Sequence, residues 1–456
     1  MWICSVECCQ NASVRVTGDC FICGRHLCYK HVAPTFHTCP DLDDEKDYYP
    51  AYMQADQKEI EMISKKINYA ALESHARDLR LGISCHAITL PLDRKTQYEV
   101  IGGMNVHIKV QFEDGVTWLA RIRRTNATSP PPVVRDYIFR SEIATLRFLE
   151  KLNIPSPRIH GYALEGDVGN EVGVGYMFIE ELPGTPLCWG DLTHGQTRKI
   201  VAQMADMAIE VSKHPMDSIG ALHLPSPGTI GPIAREELCD LVNGNLRTLG
   251  PFTSMQDYWA TYLQSILAQI LDRQLYTLHP IDAYLIHRFL LDLVPQVWTA
   301  EKEPCYLKHA DDKGSHILID ASANITGIID WEWALFAPAS FALNSPKALF
   351  HIQDFFAGET ALSSSESYFV ECLEGEGRAD LAKVVREGKQ SLFFDFCCAF
   401  DGRTDWEGWM GVFKGLRKCV GVDDGLNWDE WKQITLKRYE NDDGVKQLLA
   451  RGALTD

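Results

Sequence analysis

The sequence lacks any run of about 18 apolar residues, the length that a helix needs to cross a membrane, so we expect no membrane span. Basic residues are also few: 44 Lys and Arg stand against 62 Asp and Glu, giving a net charge of −18. This balance argues against nucleic acid and anionic membranes as partners, because both need a basic face. No charged leader followed by an apolar segment opens the chain, so we expect no secretory signal.

Repeats, low-complexity tracts and the Gly-x-Ser-x-Gly elbow of serine hydrolases are absent as well. At 456 residues and 46% apolar content, the chain can build a core and is long enough for two or three domains. Eight of its 15 cysteines are scattered. Without a secretory signal, these thiols are predicted to be reduced, in the cytoplasm or the nucleus.

The other seven cysteines lie in the first forty residues. Eight soft ligands there are separated by four, ten, two, four, two, five and one residues: Cys4, Cys9, Cys20, Cys23, Cys28, His31, His37 and Cys39. Zinc takes four such ligands in a tetrahedron, so this set suits two structural sites. A segment this short cannot bury enough apolar surface to fold unaided, so metal binding would supply the missing free energy. The sequence therefore predicts two structural Zn²⁺ ions.

The spacing resembles the AN-one-type zinc finger, in the variant with four residues between its first two cysteines. The resemblance implies a cross-brace. One zinc would be held by Cys4, Cys9, Cys28 and His31, and the other by Cys20, Cys23, His37 and Cys39. Cys8 competes with Cys9, although the family spacing favours Cys9. We expect the finger, residues 1–40, to recruit a protein partner rather than nucleic acid, because it carries only three basic residues.

Residues 41–84 are expected to form an acidic linker and a helix. The acidic run from Asp41 to Asp47 is closed by Pro50, and such charge runs are typical of solvated connectors. From Glu59 to Arg80, apolar residues recur at helical spacing. This helix either packs on the next domain or spaces the finger from it, and packing is favoured.

A β-rich segment follows. Gly102 and Gly103 sit in a turn whose backbone amides would let phosphates approach closely, although a Gly-Gly pair alone is also typical of a tight turn. Trp118–Ile122 is predicted to be a buried strand carrying the basic residue Arg121. A helix is expected to open at Ser141–Glu142. A strand cation paired with a helix carboxylate holds nucleotide phosphates in kinase-like folds, which would pair Arg121 with Glu142.

A second chemically informative segment lies further on. Two short β-runs, Ile317 to Ile319 and Ile325 to Ile329, predict a hairpin, with Asp311 just before it and Asp330 just after. A hairpin would bring both carboxylates together. One could then accept a hydroxyl proton while the other holds Mg²⁺ on the phosphates.

Several of these motifs resemble aminoglycoside and choline-type phosphotransferases, especially their divergent fungal branch. They are Gly102-Gly-Met-Asn105, Asp114-Gly115, Trp118-Leu-Ala-Arg121, Ile154-Pro-Ser-Pro157 and Ile329-Asp-Trp-Glu332. The resemblance spans roughly residues 85 to 350. It implies an α+β fold in which a small zinc-stapled finger precedes a bilobal protein-kinase-like fold. The β-rich N-lobe would be residues 85–183 and the helical C-lobe residues 184–456.

The resemblance also implies roles for individual residues. Asp311 would be the catalytic base with His309 as its motif partner, and Asp330 would bind Mg²⁺. Arg121 would bind phosphate with Glu142 as its helix partner. His316 departs from the family, which has asparagine at that position, and imidazole suits softer metals than Mg²⁺.

Two functions therefore remain open. One is ATP-dependent phosphorylation of a small-molecule hydroxyl. The other is a kinase-like pseudoenzyme that binds nucleotide or protein partners, the latter through the finger. The acceptor cannot be inferred from a fold family.

Overall fold

The computed structural model describes residues 2–41, 44–91, 93, 100–225, 228–242, 244–399 and 406–452. The chain divides into two compact units. The first comprises residues 1–137 and 156–183, and the second comprises residues 138–155 and 184–456. The finger segment belongs to the same unit as the β-rich segment.

The first unit is built on a five-stranded antiparallel sheet with the order β1-β2-β3-β5-β4. Its strands are β1 (Cys85–Ala87), β2 (Asn105–Phe112), β3 (Thr117–Arg123), β4 (Ile159–Ala163) and β5 (Tyr176–Glu180). Alternate residues of β2 are buried, as expected when one face of a strand packs on a core. The predicted strand from Trp118 to Ile122 is confirmed as the centre of β3.

Two helices, α1 (Glu45–Lys66) and α2 (Tyr69–Leu79), pack on this sheet. The prediction of one helix over residues 59–80 was wrong about its continuity. Ile67 is the C-cap of the first helix, and Asn68 is the N-cap of the second. The Asn68 side chain accepts a hydrogen bond from Ala71 N–H, and its own N–H donates to Val172 O. The expected packing on the following domain is confirmed, because Ile60, Ile63, Ile67, Leu72 and Ala76 share one buried cluster with the strands.

The acidic segment differs from the expected solvated linker. It is helical from Glu45 onward, and Pro50 lies inside α1. Leu42 and Asp43 of this segment lie outside the described residues. Aspartate and glutamate are favourable near a helix N-terminus because they face the positive end of the helix dipole, which explains how an acidic run can start a helix.

The chain enters the second unit within helix α3 (Pro132–Leu149). This helix begins nine residues before the predicted start at Ser141. Pro132 is well suited to a first helical position because a residue there needs no intrahelical N–H bond.

Helices dominate the second unit. They are α4 (His194–Ser212), α5 (Met255–Leu271), α6 (Pro280–Val297), α7 (Ala339–Ala342), α8 (Ile352–Phe356), α9 (Ser364–Gly375), α10 (Ala379–Glu387), α11 (Lys389–Ala399), α12 (Trp406–Val420), α13 (Trp428–Arg438) and α14 (Asp443–Gly452). Trp259 of α5 packs against Trp298, Phe341 and Phe394 in the core. Within the described ranges, no helix is long and apolar enough to cross a membrane.

Short strands complete this unit. They are β6 (Thr185–Pro186), β7 (Ala221–Leu222), β8 (Ile230–Gly231), β9 (Asp240–Val242), β10 (Asn245–Arg247), β11 (Cys305–Lys308), β12 (Ile317–Ile319), β13 (Ile325–Ile328) and β14 (Leu335–Pro338). β12 pairs antiparallel with β13 and with β6, and β11 pairs antiparallel with β14. The predicted hairpin is confirmed, and so is the α+β fold class.

Candidate active site and metal clusters

His309 follows β11 and forms hydrogen bonds to the loop that carries Asp311 and to the segment at Ile329. Its Nε2–H donates to Ile329 O at 2.9 Å, and its Nδ1 accepts a hydrogen bond from Asp311 N–H at 3.1 Å. An acceptor nitrogen carries no proton, so these contacts require the neutral ring. Burial lowers the pKa of His309, which also favours the neutral form. Both ring nitrogens contact backbone, so His309 positions Asp311.

Asp311 carries the carboxylate at the centre of the site. Lys313 Nζ lies 2.7 Å from its Oδ2, and the Asp311 side chain is 29% exposed. Burial alone would raise the pKa of Asp311, but the charge of Lys313 outweighs it, so the pKa lies below its usual range. Asp311 is therefore ionised at neutral pH and can accept a proton. The sequence analysis missed Lys313, whose only signal was a cation two residues from the aspartate.

His316 lies between the two aspartates. Its Nδ1–H donates to Asp311 O at 2.8 Å, and its Nε2 is 3.4 Å from Asp330 Oδ2. The Asp311 carboxylate is 3.8 Å from the same ring. Because Nδ1 is used by the backbone oxygen, Nε2 is the ring nitrogen that faces Asp330. One imidazole and one carboxylate then form a donor pair that suits Mn²⁺ better than Mg²⁺, which prefers oxygen ligands.

The backbone around Asp330 is unusual. Asp330 has a φ of 63° and Trp333 has a φ of 64°, both in the left-handed region. Aspartate tolerates this conformation, whereas a bulky tryptophan does so rarely. Such conformations persist only where the surrounding structure enforces them, and they cluster at functional sites.

Asp312 pairs with a buried lysine of the second unit. Its Oδ2 is 3.7 Å from Nζ of the buried Lys308, and its backbone oxygen accepts a hydrogen bond from Ala348 N–H. Lys308 is only 7% exposed and needs a counter-ion. Asp312 therefore neutralises Lys308.

The predicted phosphate-binding residues are split between the units. Gly102 and Gly103 lie in the turn before β2, where a Cβ at Gly103 would meet no described atom within 4 Å. Arg121 is buried in β3 at 5% exposure. Glu142 is buried in the part of α3 that belongs to the second unit. The pairing of Arg121 with Glu142 stays a prediction.

The cysteines and histidines near the N-terminus form two clusters. The first is Cys4, Cys9, Cys28 and His31, and the second is Cys20, Cys23, His37 and Cys39. These are the two sets that the cross-brace implies, and Cys9 rather than Cys8 belongs to the first. In each cluster the ligand atoms all lie within 4.8 Å of one another.

The geometry of both clusters fits zinc. Sulfur ligands about 2.3 Å from a tetrahedral ion lie roughly 3.8 Å apart. Cys9 Sγ is 3.8 Å from Cys28 Sγ, and Cys23 Sγ is 3.7 Å from His37 Nε2. Burial and the neighbouring Cys20 raise the pKa of Cys39 to about 12, so without a cation this thiol stays protonated.

The β-rich first unit, the helical second unit and the hairpin between two aspartates define a kinase-like fold. The family model described as phosphotransferase enzyme family matches residues 109–344, just over half of the chain. The chain therefore belongs to this family of phosphotransferases.

Several solved structures are similar. Aminoglycoside phosphotransferase APH(4)-Ia is 13% identical with a TM-score of 0.44, and the match covers 78% of this chain and 99% of that one. A putative fructosamine-3-kinase from Thermobifida fusca YX-ER1 is 14% identical with a TM-score of 0.44, covering 77% and 99%. Aminoglycoside 2'-phosphotransferase-IIIa is 13% identical with a TM-score of 0.42, covering 78% and 99%. Comparison with curated proteins finds no match.

Proposed function

We propose that this chain transfers the γ-phosphoryl group of ATP to a hydroxyl of a small molecule. One observation carries the proposal: the carboxylates of Asp311 and Asp330 both lie within 3.8 Å of the His316 ring. One of two carboxylates beside the same ring can accept a proton while the other holds a metal ion, and phosphoryl transfer uses both functions. Membership of the phosphotransferase family supports the same reaction class.

In the proposed reaction the acceptor hydroxyl attacks the γ-phosphorus. The new O–P bond forms as the bond to the β–γ bridging oxygen breaks and ADP leaves, and the hydroxyl proton passes to Asp311. His309 holds Asp311 in place through its backbone N–H. Arg121, with Glu142 as its partner, and the amides at Gly102 and Gly103 would bind the phosphates. A divalent metal held by Asp330 and His316 would neutralise phosphate charge.

The test is turnover by the purified full chain with ATP, either Mg²⁺ or Mn²⁺, and a panel of hydroxylated metabolites. Asp311→Asn should lower kcat by about 10²–10⁴-fold, because a general base contributes that much. Asp320→Asn, at the far end of the same hairpin, is the matched control and should leave kcat within about twofold, since typical changes away from a site are small. Turnover that survives Asp311→Asn, or its absence with both metals, would contradict the proposal.

The second candidate is a kinase-like pseudoenzyme, and His316 is the observation that favours it. An imidazole at 3.4 Å from Asp330 occupies the place of an oxygen ligand. If His316→Asn creates turnover that the natural chain lacks, the natural chain is a pseudoenzyme. A thermal shift with ATP alone would show whether nucleotide binding survives without catalysis.

We further propose that each Cys/His cluster binds one structural zinc ion. Metal analysis should give two Zn²⁺ per chain, and less than one would refute the assignment. A protein partner of the finger would find exposed apolar side chains at Ile3, Val16 and Phe36. Val16 has a φ of 66°, which is rare for a β-branched residue and marks its turn as specially held.

A further inference from the structure

Arg124 lies at the centre of a buried polar network in the first unit. It follows β3 and is 5% exposed. Its Nε donates to Glu59 Oε2 at 3.1 Å, and its Nη2 contacts both Glu59 and Asp56 of α1. Asn126 donates to the other oxygen of Glu59 at 3.0 Å. A buried guanidinium with this many partners has a defined position, because its fork geometry matches the carboxylates.

The same guanidinium reaches the glycine turn. Arg124 Nη1 donates to Gly102 O at 3.3 Å, and the backbone N–H of Arg124 donates to Met104 O at 2.9 Å. The turn itself is closed by Gly102 N–H, which donates to Asn105 O at 2.8 Å. Arg124 therefore connects helix α1 to the turn that carries Gly102 and Gly103.

The finger covers this network on another side. Phe21 lies between the metal-ligand residues Cys20 and Cys23, and its ring is 5.9 Å from Arg124 Cζ. The same ring packs on Tyr52 of α1 at 4.7 Å, one helical turn before Asp56. The second cluster thus presents an aromatic ring to the residues that hold Arg124.

A second contact joins the finger to the segment after β3. Trp2 Nε1–H donates to Ser129 O at 2.9 Å, while Ser129 Oγ–H donates to Arg124 O at 3.1 Å. The finger therefore contacts this segment at two places. Phe21 lies beside the Arg124 side chain, and Trp2 contacts Ser129, which in turn bonds to the backbone oxygen of Arg124.

We propose that the finger is a built-in part of the first unit, and that its second cluster holds the glycine turn in place through Phe21 and Arg124. The Phe21 ring shields the ion pairs of Arg124 from water and adds a cation–π contact. Arg124 is thus a positioning residue for the turn. The consequence for ATP rests on the proposed function, whereas the coupling between finger and turn does not.

Hydrogen–deuterium exchange of the full chain tests the coupling. Phe21→Ala keeps all metal ligands, and amides of residues 100–104 should exchange about two- to fivefold faster, as expected for the loss of one cation–π contact. Phe36→Ala is the matched control: Phe36 is a finger phenylalanine that is 53% exposed and packs on His31 of the other cluster. It should leave residues 100–104 unchanged. Arg124→Lys, which keeps the charge but loses the fork, should reproduce the effect of Phe21→Ala.

Two results would overturn the inference. One is unchanged exchange at residues 100–104 in Phe21→Ala. The other is equal acceleration there and in strand β2, which would show general loosening of the unit. ATP titration of the same variants separates the two proposals. A weaker Kd in Phe21→Ala but not in Phe36→Ala extends the coupling to nucleotide binding. If none of the variants binds ATP, the proposed function is contradicted. The exchange result then still decides whether the finger is coupled to the glycine turn.

Discussion

His309 offers the sharpest test of how the loops of the candidate active site are held. Both of its ring nitrogens bond to backbone, one to Ile329 O and one to Asp311 N–H. Asparagine places a polar oxygen near the position of Nδ1, and glutamine places an amide N–H near that of Nε2. His309→Asn should therefore keep the bond to Asp311, His309→Gln should keep the bond to Ile329, and His309→Phe should lose both.

The expected magnitudes follow from the two bonds. His309 is half-buried, so water can partly replace a lost partner, and each bond then contributes about 0.5–1.5 kcal/mol. His309→Phe should lower the free energy of unfolding by roughly 1–3 kcal/mol, and each amide variant by about half as much. Urea unfolding, followed by a tryptophan signal from the second unit, measures these differences.

Activity separates positioning from proton transfer. If His309 only positions Asp311, His309→Asn should retain more kcat than His309→Gln, because it keeps the contact to Asp311 N–H. The acid limb of the pH profile should stay where it is in both variants. A loss of less than about 0.3 kcal/mol in His309→Phe, below the usual value of even one hydrogen bond, would refute the reasoning. So would an acid limb that moves with His309.

Three further predictions concern charge and metal. Because the pKa of Asp311 is depressed, its ionised form persists as pH falls and is lost only below the usual aspartate range. Lys313→Met should raise that pKa and move the acid limb of the kcat/KM profile to higher pH. An acid limb that does not move would contradict this prediction. His316→Asn should weaken Mn²⁺ binding by roughly tenfold relative to Mg²⁺ binding. Electron paramagnetic resonance measures the Mn²⁺ affinity without any turnover. An unchanged Mn²⁺ affinity would exclude His316 as a ligand. Removal of zinc by a chelator should lower the unfolding temperature of the first unit and leave that of the second unit unchanged, because both clusters lie in residues 1–40. Calorimetry with and without re-added Zn²⁺ measures both temperatures. An equal drop of the unfolding temperature in both units would contradict the prediction.

Features set by neighbouring residues could be predicted from the sequence. The spacing of cysteines and histidines predicted two metal sites, because ligand pairs such as Cys20 and Cys23 belong to single tight turns. The division of the eight ligands into the two clusters followed from the resemblance to the zinc finger. The hairpin of β12 and β13 could also be predicted, because two short β-runs joined by a small turn are adjacent in sequence and pair with each other. This local order also placed Asp311 and Asp330 on its two flanks.

Other features depended on contacts between distant residues. The break between α1 and α2 involves Asn68 and Val172, and the start of α3 nine residues before its predicted position shows how weakly periodicity locates helix ends. The network of Arg124 joins residues 65 positions apart, and no spacing rule connects Glu59 to it.

The candidate active site shows the same division between local and long-range information. Sequence motifs identified His309, Asp311, His316 and Asp330, but not which atoms of these residues meet. The ring orientations of His309 and His316 are decided by backbone oxygens at Ile329 and Asp311. Hydrogen bonds depend on direction and on distances of about 3 Å, and only the folded chain sets these. The sequence by itself determined which chemical groups this protein has, and the tertiary structure decided which lone pairs and protons face one another.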